Sequence, residues 1–275
     1  MQIELENCEL VCDTADLSRE QFAMLRRNYL GASDASVYLG LLTKFDKNAL
    51  TLIDSKCIPY YTEEEAAIGE KPAVRAGNIL EPYTLSEAGK QLGCTVLKPT
   101  DMYAIKEYPF LAVNFDGYIA DGEYEGYPVE AKFTSTYGDK YYDYKKAYRD
   151  LPFLGGNNVS DPSYYCDQAG KHYGIPPYYY AQIQQQMLAT ETPFGFLASI
   201  REKDWKVYLY KIYASKFAQN AIIIEGGKVW NRIEKRREKE NFYPQFEEYV
   251  RNLCSTTVVS DATRDFWTSQ ESSEI

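Results

Sequence analysis

Asn114-Phe115-Asp116-Gly117-Tyr118-Ile119-Ala120-Asp121-Gly122, followed by Pro128-Val129-Glu130-Ala131-Lys132, is the stretch on which the reading of this chain turns. Residues 110–119 and 128–133 are rich in Val, Ile, Phe and Tyr, with Asp121-Gly122 and Gly126 between them. That pattern predicts an antiparallel hairpin with a longer loop. Asp116 then lies on its first strand. Glu130 and Lys132, two residues apart on the second, point to one face. A register that sets Asp116 beside them gathers two carboxylates and one ammonium. Hard carboxylate oxygens suit Mg²⁺, with Mn²⁺ as a substitute and the Ala131 carbonyl as a further ligand. Taken alone, Glu-x-Lys on a strand is more often a solvated charge pair, because so short a motif recurs by chance.

Downstream of the hairpin, residues 178–190 have helical character, and 194–200 and 205–213 read as two strands joined by a charged turn. Residues 215–239 form a long helical pattern that Gly226-Gly227 interrupts. Upstream, 94–97 has strand character and 99–101 is a turn. Pro72 suits the first position of a helix running toward Gly89, with Pro82 predicting a kink or break near Glu81. Residues 62–71 are charged and predict an outward loop. Ser18 with Gln21 three positions later predicts a capped helix. The first twenty residues are acidic and read as a strand or a loose arm. Strands between helices, with one hairpin in the middle, predict a single α/β domain built on a mixed central β-sheet flanked by helices. The expected boundaries are an acidic arm over 1–17, the domain over 18–254 with a Tyr-rich insert near 134–179, and a polar, partly disordered tail over 255–275.

With 275 residues, 45% hydrophobic and 25% charged, the chain is long enough to bury a substantial core. No apolar run approaches the ~18 residues of a membrane span. The acidic start lacks the plan of a secretory signal, so a cytoplasmic protein is expected. The six cysteines form no CxxC pair and His172 is the only histidine, which argues against a zinc site. The net charge of -10 argues mildly against nucleic-acid binding. An enzyme that collects carboxylates around cations can nonetheless be acidic and carry a local basic groove. There is no G-x-x-x-x-G-K-[ST] loop for a motor, and a Ser-His-Asp mechanism would rest on His172 alone.

The hairpin motif resembles the PD-(D/E)xK nuclease superfamily, whose fold is restriction-endonuclease-like. Within it, the chain is most similar to the YqaJ and lambda-exonuclease group of phage recombination nucleases. Three further segments fit in order. In RRNYLGASDAS at 26–36, Arg26 and Ser33 match the group's ligands of a 5′-phosphate. The forked donors of Arg suit that role, while Asp34 would orient Arg26 or cap the helix. GNILEP at 77–82 resembles the helix that brings a further acid, Glu81, toward the metal, often through water. YAQIQQQM at 180–187 resembles the group's AQ-containing helix, with Gln182 at the matching position to hold water or a phosphate oxygen. Gln185 and Gln186 share its helical face and are expected to line a DNA groove. Phe115 departs from the family's proline without touching the metal ligand. The segment between Phe133 and Tyr180 is long for the group. Its Lys140, Lys145, Lys146, Arg149 and Lys171, interleaved with tyrosines, suit a nucleic-acid track as well as they suit packing against the core.

The resemblance implies a Mg²⁺-dependent exonuclease that degrades one strand of linear double-stranded DNA from a 5′-phosphorylated end. Asp116, Glu130, Lys132, Gln182 and Glu81 would be catalytic, and Asp116, Glu130, Ala131 and Glu81 would surround the metal. It also implies a homotrimer and a single-strand annealing protein as partner. The alternatives are an endonuclease or nickase of the same fold, or a catalytically dormant DNA-end-binding protein.

Overall fold

The structure is a computed structural model and describes residues 3–42, 47–134, 165–166, 172–173, 175–202 and 204–240. Most of the Tyr-rich insert, with Lys140, Lys145, Lys146, Arg149 and Lys171, lies outside the described residues, as does the tail expected over 255–275. Among the described residues, no helix is long and apolar enough to cross a membrane.

The domain is α/β, with mixed sheets and seven helices among the described residues. One sheet has four strands in the order β1-β4-β5-β2: β1 (Cys8–Asp13), β4 (Asp101–Ile105), β5 (Tyr108–Asn114) and β2 (Leu30–Gly31). Residues 8–13 therefore take the strand alternative, paired antiparallel with β4. The other has five strands, β11-β10-β7-β6-β3: β11 (Val207–Tyr213), β10 (Phe194–Arg201), β7 (Pro128–Thr134), β6 (Gly117–Ile119) and β3 (Val96–Leu97). A separate pair, β8 (Tyr165–Cys166) and β9 (His172–Tyr173), completes the set.

The expected hairpin is thus divided. Its first arm serves two sheets: β5 ends with Asn114 opposite Met102, and β6 begins with Gly117 opposite Val129. Asp116 lies on neither strand but at the seam between them. Phe115 anchors that corner, buried with its ring 6.4 Å from Tyr103 and 6.0 Å from Tyr118.

Helix α1 (Arg19–Arg27) starts at the Ser18–Gln21 capping box, and α2 (Ala32–Tyr38) follows β2 directly. After α3 (Ala49–Lys56) comes α4 (Glu63–Glu70), where the charged run predicts a loop. The run folds because Thr62 caps Glu65 reciprocally and three glutamates in the first turn complement the helix dipole. Helix α5 (Pro72–Leu92) runs unbroken across Pro82 and ends at Gly93, whose φ of 68° is the left-handed cap. Helix α6 (Pro177–Thr190) packs between the sheets, and α7 (Lys216–Glu240) is likewise continuous. Gly226 does not interrupt α7. It admits Phe110, since a Cβ there would lie 3.3 Å from Phe110 Cε2 and 3.4 Å from the Tyr38 hydroxyl.

The main core joins Leu30, Leu111 and Val113 of the first sheet to Leu197 and Ile212 of the second through Tyr180, Ile183 and Met187 of α6. Each fully buried aliphatic side chain of this kind contributes about 1.5–3 kcal/mol. Gln184, Gln185 and Gln186 of α6 are buried among them, contrary to a groove-lining role for Gln185 and Gln186. Gln185 Nε2 donates to Leu30 O (2.9 Å) and Ala112 O (3.0 Å), tying α6 to the parallel pair β2–β5. Gln184 donates to Tyr213 O at 2.8 Å and accepts from Ser215 N at 2.9 Å. Buried amides must be satisfied, and here that requirement fixes α6 against both sheets.

Candidate active site

The seam brings Asp116 opposite the middle of β7. Ala131 N donates to Asp116 Oδ2 at 3.1 Å, and Lys132 Nζ lies 3.4 Å from the same oxygen. Lys132 Nζ also contacts Glu130 Oε1, so one ammonium occupies the space between the two carboxylates. Strand alternation accounts for this, as residues 130 and 132 share a face. Gly117 is required beside Asp116 because α5 rests on the seam. A Cβ there would stand 2.6 Å from Leu85 Cδ2 and 2.9 Å from Val96 Cγ1.

Glu130 is fully buried, and Gln186 Nε2 donates to its Oε2 at 2.6 Å. Burial first, and then the Asp116 charge, push the Glu130 carboxyl up to about 8, with Lys132 and Gln186 pulling the other way. For Lys132, burial works against the ammonium, but Glu130 and Asp116 outweigh it and hold the group above its ordinary range. The Tyr179 ring, 5.4 Å from Lys132 Nζ, adds a cation–π contact.

Glu81 enters from α5. It lines a cavity of about 350 Å³ whose wall also includes Asn78, Thr84, Asp116, Ala131 and Lys132. Lys98 Nζ stands 2.5 Å from Glu81 Oε1, close enough for charge attraction but misaligned for a hydrogen bond. A larger hollow of about 620 Å³ lies farther along α5, toward β3. Its one carboxylate, Asp121, is already bonded to Thr95 N at 2.7 Å.

Gln182 is half-buried, and its amide has no hydrogen-bond partner among the described residues. Tyr179 and Gln186, three residues before it and four after, both touch the site. Helical spacing therefore puts Gln182 on the same face of α6 as these two residues.

The donor set fits a hard cation that keeps most of its waters. Among the described residues, no three of His, Cys, Asp and Glu cluster at ligand distance; Asp116 and Glu130 are the two carboxylates that could hold such an ion directly. Gln186 Oε1 and Glu81 Oε1 are buried acceptors without a hydrogen-bond partner among the described residues. Buried acceptors of this kind call for donors such as metal-bound water.

A second cluster forms where α1, β2 and α2 meet. Arg26 Nη2 donates to Ser33 Oγ at 2.7 Å, joining the two expected phosphate ligands. Asp34 Oδ2 accepts from Gly31 N at 2.9 Å and pairs with Lys56 Nζ at 2.7 Å. Burial opposes the Asp34 charge, but Lys56 and then Arg26 hold the carboxyl below its ordinary range. Lys56 shifts downward too, because burial outweighs the attraction of Asp34. Gly31 aligns with Ala112 on β5, and Asp116 follows four residues later. β5 ends at Asn114, so Asp116 lies just past the end of the strand that pairs with β2.

A family model of the YqaJ-like viral recombinase domain matches residues 21–193. The chain belongs to that family. The matched span of this YqaJ-like domain contains both clusters and α6 but stops before β10, β11 and α7. Its fold is similar to the crystal structure of an alkaline exonuclease (LHK-Exo) from Laribacter hongkongensis. The TM-score is 0.55 at 17% identity, covering 82% of this chain and 96% of that one. LHK-Exo in complex with dAMP gives 0.51 at 15% identity, with 80% and 97% covered. No curated protein sequence matches the chain.

The sequence placed Gln186 on the face of Gln182 but as a groove-lining residue, whereas it bonds Glu130. Tyr179, Lys98 and Lys56 were missed, although helical spacing from Gln182 leads to Tyr179. Lys98 and Lys56 carry no such signal.

Proposed function

We propose that this YqaJ-like protein is a divalent-metal-dependent exonuclease that degrades one strand of linear duplex DNA from a 5′-phosphorylated end, in phage-type recombination. The observation that carries the reading is an acid–acid–ammonium site at Asp116, Glu130 and Lys132, together with a separate contact between Arg26 and Ser33. In this reading Asp116, Glu130 and the Ala131 carbonyl hold Mg²⁺, with Glu81 reached through water. A bound Mg²⁺ lowers the pKa of its water and neutralises phosphoryl charge.

The residues divide the remaining work. Lys132 serves as a donor to developing negative charge on the phosphoryl oxygens. Gln186 fixes the Glu130 carboxylate through its 2.6 Å hydrogen bond. Gln182 orients water or a non-bridging oxygen. Arg26 and Ser33 seat the terminal phosphate, which supplies the reason for cutting to begin at an end. The lambda-exonuclease resemblance adds a homotrimer around the duplex and a single-strand annealing protein as partner.

The test compares 5′-phosphorylated linear duplex, its 5′-hydroxyl form and covalently closed circular DNA, using wild type and Lys132→Ala with Mg²⁺. The expected result is degradation of linear DNA that favours the phosphate form and is lost in Lys132→Ala. Cutting of the closed circle would establish an endonuclease instead. Inertness toward all three substrates would establish a dormant end-binding protein, and undiminished activity in Lys132→Ala would remove the site assignment.

A further inference from the structure

Three buried cations gather behind the Arg26–Ser33 pair: Arg27, Lys56 and Arg237 are 3%, 5% and 1% exposed. Lys56 uses all three of its donors, to Arg26 O (2.8 Å), Tyr29 O (2.7 Å) and Asp34 Oδ2 (2.7 Å). Arg237 Nη2 donates to Arg27 O at 2.8 Å and Lys56 O at 2.7 Å. The carbonyls of Arg26 and Arg27 are among the last of α1, which lack intrahelical partners and attract cations.

Arg27 is neutralised separately, with Glu65 holding its Nη2 at 2.6 and 2.8 Å. Among the described residues, Asp34 is the carboxylate that pairs with Lys56. An ammonium with every hydrogen committed cannot also bind a ligand. It can fix the groups that do.

We propose that Lys56 is a positioning residue for the terminal phosphate. It locks the end of α1, which carries Arg26, to the start of α2, which carries Ser33. Arg237 of α7 holds Lys56 in place from outside the matched family span. This inference rests on the reading of Arg26 and Ser33 as ligands of a 5′-phosphate. Lys56 sets their separation through the Arg26 carbonyl on one side and Asp34, bonded to Gly31 N, on the other.

The experiment measures kcat and KM on 5′-phosphoryl and 5′-hydroxyl duplexes for wild type, Arg26→Ala, Asp34→Asn and Lys56→Arg. Unfolding curves for each variant accompany the kinetics. Asp34→Asn is expected to raise KM for the phosphoryl duplex about tenfold while kcat on the hydroxyl duplex stays within about twofold. The hydroxyl substrate is the internal control for folding, since a merely structural defect lowers both. Lys56→Arg keeps the charge but not the three-way ammonium geometry, so it is expected to show the same split. It also decides the question if Asp34→Asn does not fold. Folded variants that keep the wild-type preference would overturn the proposal. A wild type that ignores the end chemistry, or a preference that survives Arg26→Ala, would instead overturn the phosphate reading beneath it.

Discussion

Gln186→Met tests how the site holds Glu130. The substitution keeps volume and helix propensity and removes one donor, the Nε2 that sits 2.6 Å from Glu130 Oε2. Glu130 is fully buried, so no water replaces the lost donor from that side. A hydrogen bond to a charged group contributes about 1.5–3 kcal/mol, which corresponds to about 10- to 150-fold in an equilibrium constant. That range overlaps the ~10- to 100-fold cost in metal affinity of losing a hydrogen bond to a metal ligand. The midpoint of Mg²⁺ activation is therefore expected to rise by one to two orders of magnitude, with kcat largely recovered at saturating metal. Calorimetric titration of Mg²⁺ or Mn²⁺ into the protein, beside the activation curve, measures it. Gln182→Met is the matched control, expected to alter KM for DNA while leaving the metal midpoint near wild type. An unchanged midpoint in folded Gln186→Met would refute the argument that this bond tunes the metal ligand.

Asp34→Asn has a signed pH dependence. The carboxyl is held below its ordinary value, so its stabilisation is present above pH ~4 and is lost as pH falls through the folded-state value. Urea unfolding is expected to show the variant about 3 kcal/mol less stable at neutral pH, the low end for a broken buried pair, with the gap narrowing as pH falls below ~4. In α7, Gly227→Ala meets only Phe110 Cζ at 3.7 Å and is expected to raise stability by about 0.8–1 kcal/mol through helix propensity. Gly226→Ala should lose that gain to the 3.3 Å contact with Phe110, and thermal melts of the two variants would separate them.

Local signals carried the parts of the fold that local physics decides. Ser18 with Gln21 and Pro72 at a first helical position mark real helix starts. The Glu130–Lys132 spacing correctly places both side chains together, and Arg26 and Ser33 do meet. The seam at Asp116 was not legible. Residues 110–119 have one continuous apolar pattern, and a period of two says nothing about which strand lies alongside. Helix α4 was hidden because its charge run masked the Thr62–Glu65 box. Pro82 and Gly226 looked like breaks, but packing against β7 and Phe110 overrode their propensities. Lys56 and Arg237 could not be found from sequence, since carbonyls 27 and 210 residues away along the chain are what draw them inside.

The ammonium of Lys132 between two carboxylates also bears on the order of assembly. Asp116 and Glu130 would repel each other if left alone across the seam, and one of them would then hold a proton. Here the chain brings its own counter-charge, so folding is expected not to depend on a metal, unlike small domains whose fold is the metal complex. A chelator is then expected to silence the enzyme without melting it. Removing metal forfeits only mass-action stabilisation, about 2.7 kcal/mol at a hundredfold excess over Kd. A newly made chain can fold first and acquire its chemistry afterwards.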